Sequence, residues 1–263
     1  MSFIDLQGRT TILTGAAGGI GRATAHELAG AGSNVALFDL AAADELARDL
    51  SATYGVTSRA YKVDIREAGS IGDALEHAAK DFGSIDHLVN AHGVQFLSDL
   101  SSFPEDKWKF INDINLFGTF LSVKYAWPYM AKAGRGRIVN LASAHGIVAS
   151  PFKSAYIASK HGVVGLTRSA AVEGAALGIT ANAVCPGAVL TELVSKQGPE
   201  YVQRFGGGIS EREALERAFL DTMPTRRFID PSEIGQLCTF LCSDAARSIT
   251  GSVIPIDGGW TAH

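Results

Sequence analysis

Seven short runs of β-branched or apolar residues punctuate this chain: Thr10 to Leu13, Asn34 to Phe38, Ser58 to Val63, Ile85 to Val89, Arg137 to Leu141, Thr180 to Val184 and Ser252 to Ile256. Between them lie longer stretches with helical spacing, at about 19–31, 42–53, 67–82, 105–132, 154–176 and 231–243. Strands joined through helices cannot return as hairpins, so the chain is carried back to the same end of the sheet and the strands run parallel. Helices then cover both faces. The pattern predicts an α/β fold with one doubly wound, seven-stranded parallel sheet. No repeat, low-complexity tract or Pro/Ser-rich linker divides the sequence, so residues 1–263 are expected to form a single domain. A hydrophobic content of 46% against 19% charged residues is enough to bury such a sheet on both sides.

The same composition excludes several partners. The net charge is -4 without a block of like charges, so no electrostatic footprint for nucleic acid or an anionic membrane is present. No apolar stretch approaches the ~20 residues of a membrane span, and Met1 to Leu6 lacks the basic-then-apolar pattern of a leader. A cytoplasmic protein acting on a small molecule is expected. Cys185, Cys238 and Cys242 show no zinc spacing, so their expected role is core packing, and no metal is expected.

Directly after the first strand comes Thr14-Gly15-Ala16-Ala17-Gly18-Gly19-Ile20-Gly21, followed by a helix. Glycines allow a tight turn and close backbone approach, and the N–H groups at a helix start stabilise phosphate charge. In this strand-turn-helix setting the turn predicts a Rossmann-type dinucleotide site. Asp39 ends the second strand, 18 residues after Gly21, where a carboxylate accepts hydrogen bonds from an adenosine ribose and repels a 2′-phosphate. With Leu40, Ala16 and Ala17 supplying no cation, the expected cofactor is NAD and not NADP.

Tyr156 and Lys160 lie four residues apart on one helical face, so the ammonium is expected to lower the phenol pKa and make a usable proton-transfer group. Ser143 stands thirteen residues before Tyr156, at the end of the fifth strand. Together with the glycine turn, Asn90-Ala91-His92-Gly93, Asn115 and Pro186-Gly187, in this order along nearly the whole chain, the set resembles the short-chain dehydrogenase/reductase family. The resemblance implies that Tyr156 exchanges the hydroxyl proton and Ser143 hydrogen-bonds the reacting oxygen. Lys160 would also bind the nicotinamide ribose, and Asn115 would help to hold a proton-relay water. It further implies that Asp64 and Ile65 border the adenine, that Asn90 belongs to the cofactor site, and that Val189 and Thr191 hold the carboxamide. His92 and Ala91 depart from the family's Asn-Asn-Ala-Gly, and His92 is expected to pack structurally without a catalytic role.

Within the family, Ser143 to Ser150, Lys153 to Tyr156, Lys160 to Thr167 and Asp257 to Ala262 resemble the branch that interconverts 3-hydroxybutyrate and acetoacetate. That resemblance implies a substrate carboxylate held by Gln95, His145, Lys153 and Gln197, with Trp260 also at the substrate. Ala188 departs from it where a Trp is usual. A small side chain there predicts room for longer 3-oxo acids, unless Tyr201, Phe205 or Phe219 refills the space. Two other readings stay open: reduction of a neutral cyclic or sugar-derived ketone, and a non-catalytic nucleotide-binding protein.

Residues of about 190–228 break the strand-helix rhythm with Gly206-Gly207-Gly208 and a charged helical stretch from Ser210 to Asp221, and are expected to form a substrate lid. The 154–176 helix is small or apolar around much of its circumference. One face suits the sheet and another a second subunit, and with the family resemblance this implies a homotetramer.

Overall fold

The computed structural model describes residues 4–262; Met1 to Phe3, part of the segment read for a leader, and His263 lie outside it. The seven strands are β1 (Thr10–Thr14), β2 (Asn34–Asp39), β3 (Ser58–Lys62), β4 (His87–Asn90), β5 (Gly136–Leu141), β6 (Ile179–Pro186) and β7 (Val253–Ile256). All pair in parallel, in the order β3-β2-β1-β4-β5-β6-β7. The chain builds outward from β1 through β2 to β3, then returns to lay β4 on the other side of β1. Thr14 pairs with Asn90 at the top of that junction, so the loops after β1 and β4 part in opposite directions and leave a crevice between them.

Alternate residues of each strand serve opposite faces, as the pleat requires. Leu13, Leu37, Val89 and Val139 join one core with helices α1 (Gly19–Gly30), α2 (Asp44–Tyr54) and the last helix, Pro231–Cys242. Ile12, Ala36, Leu88 and Ile138 face the other core, built on α3 (Ala68–Phe82) with Leu121, Val123, Ala126 and Met130 and with Ala170 and Ala171 from two later helices.

The expected 105–132 helix is interrupted. It consists of α4 (Glu105–Asn112), a π-helical turn over Asp113–Phe117, and α5 (Gly118–Ala133). The extra residue in a π turn swings side chains out of the α register. Here it carries Asn115 into full burial. Helix α6 (Ser154–Gly174) follows β5, and its buried face includes Ser159, Lys160, Val163 and Thr167. β6 runs two residues beyond the expected Val184 because Cys185 and Pro186 pair with Pro255 and Ile256 of β7.

Between β6 and the last helix the chain makes an excursion through α7 (Glu192–Ser195), α8 (Gly198–Arg204) and α9 (Glu211–Phe219), before α10 (Pro231–Cys242). Its two ends meet: Val189 bridges Ile229 in parallel, and Ile229 N donates to Ala188 O at 2.9 Å. Gly206, Gly207 and Gly208 all have positive φ, a conformation that side-chain-bearing residues rarely adopt. Tyr201, Leu215, Phe219 and Met223 are nevertheless buried in the first core. Among the described residues no helix is long and apolar enough to cross a membrane.

Candidate active site

The crevice above β1 and β4 holds two neighbouring spaces that share Ala91, His92 and Gly93 in their walls, one of about 560 Å³ over the glycine turn and one of about 110 Å³ over β5 and β6. The turn itself admits only glycine at two positions. A Cβ on Gly21 would lie 2.0 Å from Gly15 O, and one on Gly15, whose φ is +69°, would lie 2.5 Å from His92 N. No side chain caps α1 at Gly18, so the first-turn N–H groups are not taken by a side chain, which suits a phosphate. Gly19 and Gly21 shape the turn without lining either space; a Cβ on Gly19 would meet the Thr191 methyl at 3.1 Å.

Thr14, Gly15, Asp39, Asp64 and Ile65 line the larger cleft. The Asp39 carboxylate is held at the end of β2 by two backbone N–H groups, Ala17 N on Oδ2 and Ala41 N on Oδ1, both at 2.9 Å. Each oxygen, fixed by one neutral donor, keeps a further lone pair for a ligand. Asp64 accepts two side-chain bonds from Arg66, at 2.9 and 2.6 Å, and this contact holds its carboxyl below the usual range. Arg66 and Phe110 also line the cleft, with the guanidinium 5.5 Å from the Phe110 ring. Neither was among the expected site residues. Arg66 follows Asp64 by two positions, a spacing that could have suggested the pair.

Asn90 is not brought to the cleft. Its side chain is buried between strands, accepting from Thr14 Oγ1 at 3.1 Å and donating to Asn140 Oδ1 at 2.8 Å. Asn115 is likewise committed to protein, bonding Val94 N (2.8 Å), Val94 O (3.0 Å) and Ser159 Oγ (3.1 Å). It staples the loop after β4 to α6, close to Lys160.

The smaller cavity gathers Ser143, Tyr156 and Lys160 from two elements: the end of β5 and the first turns of α6. Ser143 Oγ accepts from His145 N at 3.1 Å, which leaves its own proton to donate toward the Tyr156 phenol. Lys160 Nζ donates to Leu141 O at 2.7 Å and stands 5.6 Å from the Tyr156 ring centre. The expected lowering of the phenol is not what the protein alone produces. Burial pushes Tyr156 up to about 12, with the Ser143 hydrogen bond pulling it down. Lys160 is itself pushed down to about 8 by burial, its proton directed at a carbonyl. Near neutral pH the pair is therefore a phenol beside an ammonium.

Ile20, Pro186, Gly187, Val189 and Thr191, expected at the cofactor, line this cavity together with Gln95, His145, Lys153 and Trp260, expected at the substrate. Lys153 is 3% exposed, and among the described residues no carboxylate is paired with it. Its ammonium instead sits 4.5 Å from the Phe219 ring centre and 5.9 Å from that of Tyr201, and burial lowers its pKa to about 8. His145 packs edge-on against Trp260, with ring centres 4.9 Å apart, and its buried Nε2 has no hydrogen-bond partner. Gln197 stands one layer back, its Oε1 accepting from Gln95 Nε2 at 3.1 Å. Ala188, Phe219 of the excursion and Trp260 all line the cavity.

Known proteins place this geometry. The model of the family described as enoyl-(acyl carrier protein) reductase matches residues 15–261. The chain is 42% identical to the D-beta-hydroxybutyrate dehydrogenase of Rhizobium meliloti over 97% of this chain and 99% of that one. It is 41% identical to the protein of the same name from Cupriavidus necator, covering 98% and 100%. The D-threitol dehydrogenase of Mycolicibacterium smegmatis is 39% identical over 97% and 94%. The crystal structure of levodione reductase superposes with a TM-score of 0.92 at 31% identity, covering 98% and 99%. The chain belongs to the short-chain dehydrogenase/reductase family, oxidoreductases that work with a nicotinamide cofactor.

Proposed function

We propose that this protein interconverts a short 3-hydroxy acid and its 3-oxo acid with NAD, the best-fitting pair being 3-hydroxybutyrate and acetoacetate. One observation carries the reading: Lys153 is a buried cation beside two aromatic rings, with no carboxylate paired to it among the described residues, in the same cavity as Tyr156. A buried ammonium without a counter-charge is costly, and a substrate carboxylate is the partner that offsets the cost. The unpartnered Nε2 of His145 and the Gln95 amide add further polar atoms beside it, and the cavity of about 110 Å³ suits a small acid. The two relatives named for D-beta-hydroxybutyrate point to the same substrate.

The nicotinamide, when bound over Ile20, Val189 and Thr191, supplies the hydride donor or acceptor. The remaining steps belong to the chain. In reduction Tyr156 gives its phenolic proton to the ketone oxygen while Ser143 donates a hydrogen bond to the same atom. Lys160, charged below about pH 8, stabilises the phenolate that forms, and Lys153 holds the carboxylate so that the carbonyl reaches both groups. Oxidation runs the same proton back from the hydroxyl to Tyr156. Asp39 selects NAD by accepting ribose hydroxyls and repelling a 2′-phosphate.

A homotetramer is proposed from the surface between the π turn, α5 and α6, where Phe117 and Phe120 are exposed beside Leu116 and Leu166. Phe120→Asp is expected to lower the mass seen by light scattering, and an unchanged mass would locate the interface elsewhere.

Tyr156→Phe should remove nearly all turnover yet bind NADH as wild type does, because only the proton donor is lost. Retained turnover would sink the catalytic assignment and leave a nucleotide-binding protein as the better reading. Asp39→Ala combined with Leu40→Arg should shift the kcat/KM ratio toward NADP, since a repelling carboxylate gives way to a cation. If the ratio stays put, the ribose is read elsewhere.

Lys153→Met separates the acid from its rivals. In the wild type, kcat/KM for acetoacetate divided by that for a neutral ketone of similar size should fall as pH rises through about 8, where Lys153 loses its charge. Lys160 titrates in the same range but acts on both substrates, so it cancels in the ratio. The variant should show a low, pH-independent ratio; an unaltered one favours the neutral ketone. The fold supplies a second readout. Because the folded-state pKa of Lys153 lies below its ordinary 10.5, holding it charged disfavours the folded state at every pH below about 8. That penalty declines between about 8 and 10.5 and is absent above. At about 1.4 kcal/mol per tenfold change in protonation equilibrium, the variant should be more stable by about 3 kcal/mol at pH 7, a gain that shrinks by more than half at pH 9.5. Urea unfolding at the two pH values measures it.

A further inference from the structure

Phe152 and Lys153 are neighbours in sequence that meet the excursion in opposite senses. The Arg204 guanidinium of α8 lies over the Phe152 ring, 3.8 Å from its centre. The Lys153 ammonium lies 4.5 Å from the ring centre of Phe219 in α9 and 5.9 Å from that of Tyr201 in α8. A cation of the excursion thus covers a ring of the loop before α6, and rings of the excursion cover a cation of the same loop. Tyr201 and Arg204 are three residues apart on α8, so one helical face serves both contacts.

The conformation of Phe152 needs such support. Pro151 and Phe152 form a turn, and Phe152 has a φ of +69°, a value that glycine and asparagine adopt readily and a residue with a bulky side chain does not. One backbone bond helps to hold it, from Ser98 N to Phe152 O at 3.0 Å. The peptide fixed by that bond also carries the Lys153 N–H. Lys153 is the N-cap of α6, with φ -123° and ψ 28°, and its carbonyl is tied to the helix by Ile157 N at 2.9 Å. Its amide side takes its orientation from Phe152.

Arg204 is placed to keep this turn. Its guanidinium bonds Glu200, one turn earlier on α8, at 2.9 Å and lies 3.8 Å from the carboxylate of Asp99, the residue after Ser98. The Phe152 ring is thereby joined to α8 and to the segment that holds the Phe152 carbonyl. Arg204 lines neither of the two spaces of the crevice. We propose that Arg204 is a positioning residue for acid substrates: by stacking on Phe152 it holds the turn at positive φ, and that turn directs the Lys153 ammonium into the cavity that contains Tyr156. The inference rests on the role given above to Lys153 as the partner of the substrate carboxylate.

Variants at the two positions separate the holding of the turn from simple packing. Arg204→Met and Phe152→Val should each raise KM for acetoacetate about tenfold, while kcat, kcat/KM for a neutral ketone of similar size and NADH affinity stay within about twofold of wild type. Phe152→Asn should be close to wild type, because asparagine adopts positive φ without help. For the same reason Arg204→Met combined with Phe152→Asn should regain most of the affinity lost in Arg204→Met alone. A second readout needs no turnover. Reductive methylation with formaldehyde and cyanoborohydride, read by peptide mass spectrometry, should label the enclosed Lys153 about fivefold faster in Arg204→Met and Phe152→Val than in wild type or Phe152→Asn. Wild-type KM and labelling in Arg204→Met and Phe152→Val overturn the proposal. An equal loss on the neutral ketone, a loss that Phe152→Asn does not relieve, or an effect of Arg204→Met that Phe152→Val does not share would overturn it too, the last by marking the Arg204 charge alone. If Lys153→Met loses the preference for acid while Arg204→Met and Phe152→Val keep it, this inference alone falls; if Lys153→Met keeps that preference, the reading beneath it falls.

Discussion

The pairing of Thr14 with Asn90 at the top of β1 and β4 is the constraint on which the rest of this molecule depends. It sits where the order of the sheet reverses, so the chain must leave the two strands in diverging directions, and no helix can cover the gap. The glycine turn fills one side of that gap and the His92-Gly93 turn the other. They touch so closely that Gly15 tolerates no Cβ against His92 N. Everything that lines the crevice inherits its position from this register. Asp39 is held by the N–H of Ala17 in the glycine turn, and Asn115 by both main-chain groups of Val94 in the loop after β4. A slip of β4 against β1 would displace the glycine turn and α6 together.

Burial of charge is the second organising fact. Lys153 and Lys160 lie on one segment, both almost fully enclosed and both pushed to about 8, yet their surroundings differ. Lys160 has a carbonyl at 2.7 Å, a neutral partner that fixes its direction without neutralising it. Lys153 faces two aromatic rings, which attract a cation without satisfying its hydrogen-bond donors. The backbone just before it is strained: Phe152 has a φ of +69°, outside the comfortable range of a residue with a side chain. Phe152 O is held there by Ser98 N at 3.0 Å, and its ring is covered by the Arg204 guanidinium, 3.8 Å away, from α8 of the excursion. Strain and an unpaired charge in adjacent residues weaken the fold locally, which is the expected trade where a site is shaped for a ligand and not for stability.

The sequence carried the strands, the glycine turn, Asp39 and the Ser143/Tyr156/Lys160 set because each rests on local chemistry: periodicity, absence of Cβ, or a fixed spacing along a helix. Its errors share a cause. The π turn at Asp113–Phe117 was read as continuous helix, since one inserted residue changes register without altering composition. Asn90, taken as a cofactor contact, is turned instead into a polar series across β1, β4, β5 and α6, a destination decided by neighbours distant in sequence. Gln197 stands behind Gln95 for the same reason.

The phenol of Tyr156 shows the limit most clearly. Helical spacing brings Lys160 beside it, as expected, but spacing says nothing of how deeply both groups are enclosed. Loss of water raises the acid and lowers the base, and for the phenol that effect outweighs the Ser143 hydrogen bond that pulls the other way. Ala188 repeats the lesson in packing. A small side chain predicts space only if nothing else lines the same cavity, and Phe219, more than thirty residues further on, lines it too, from an excursion whose ends Val189 and Ile229 pin together. The cavity at 188 is thus shared with residues of the excursion, which no local reading of Pro186-Gly187-Ala188 contains.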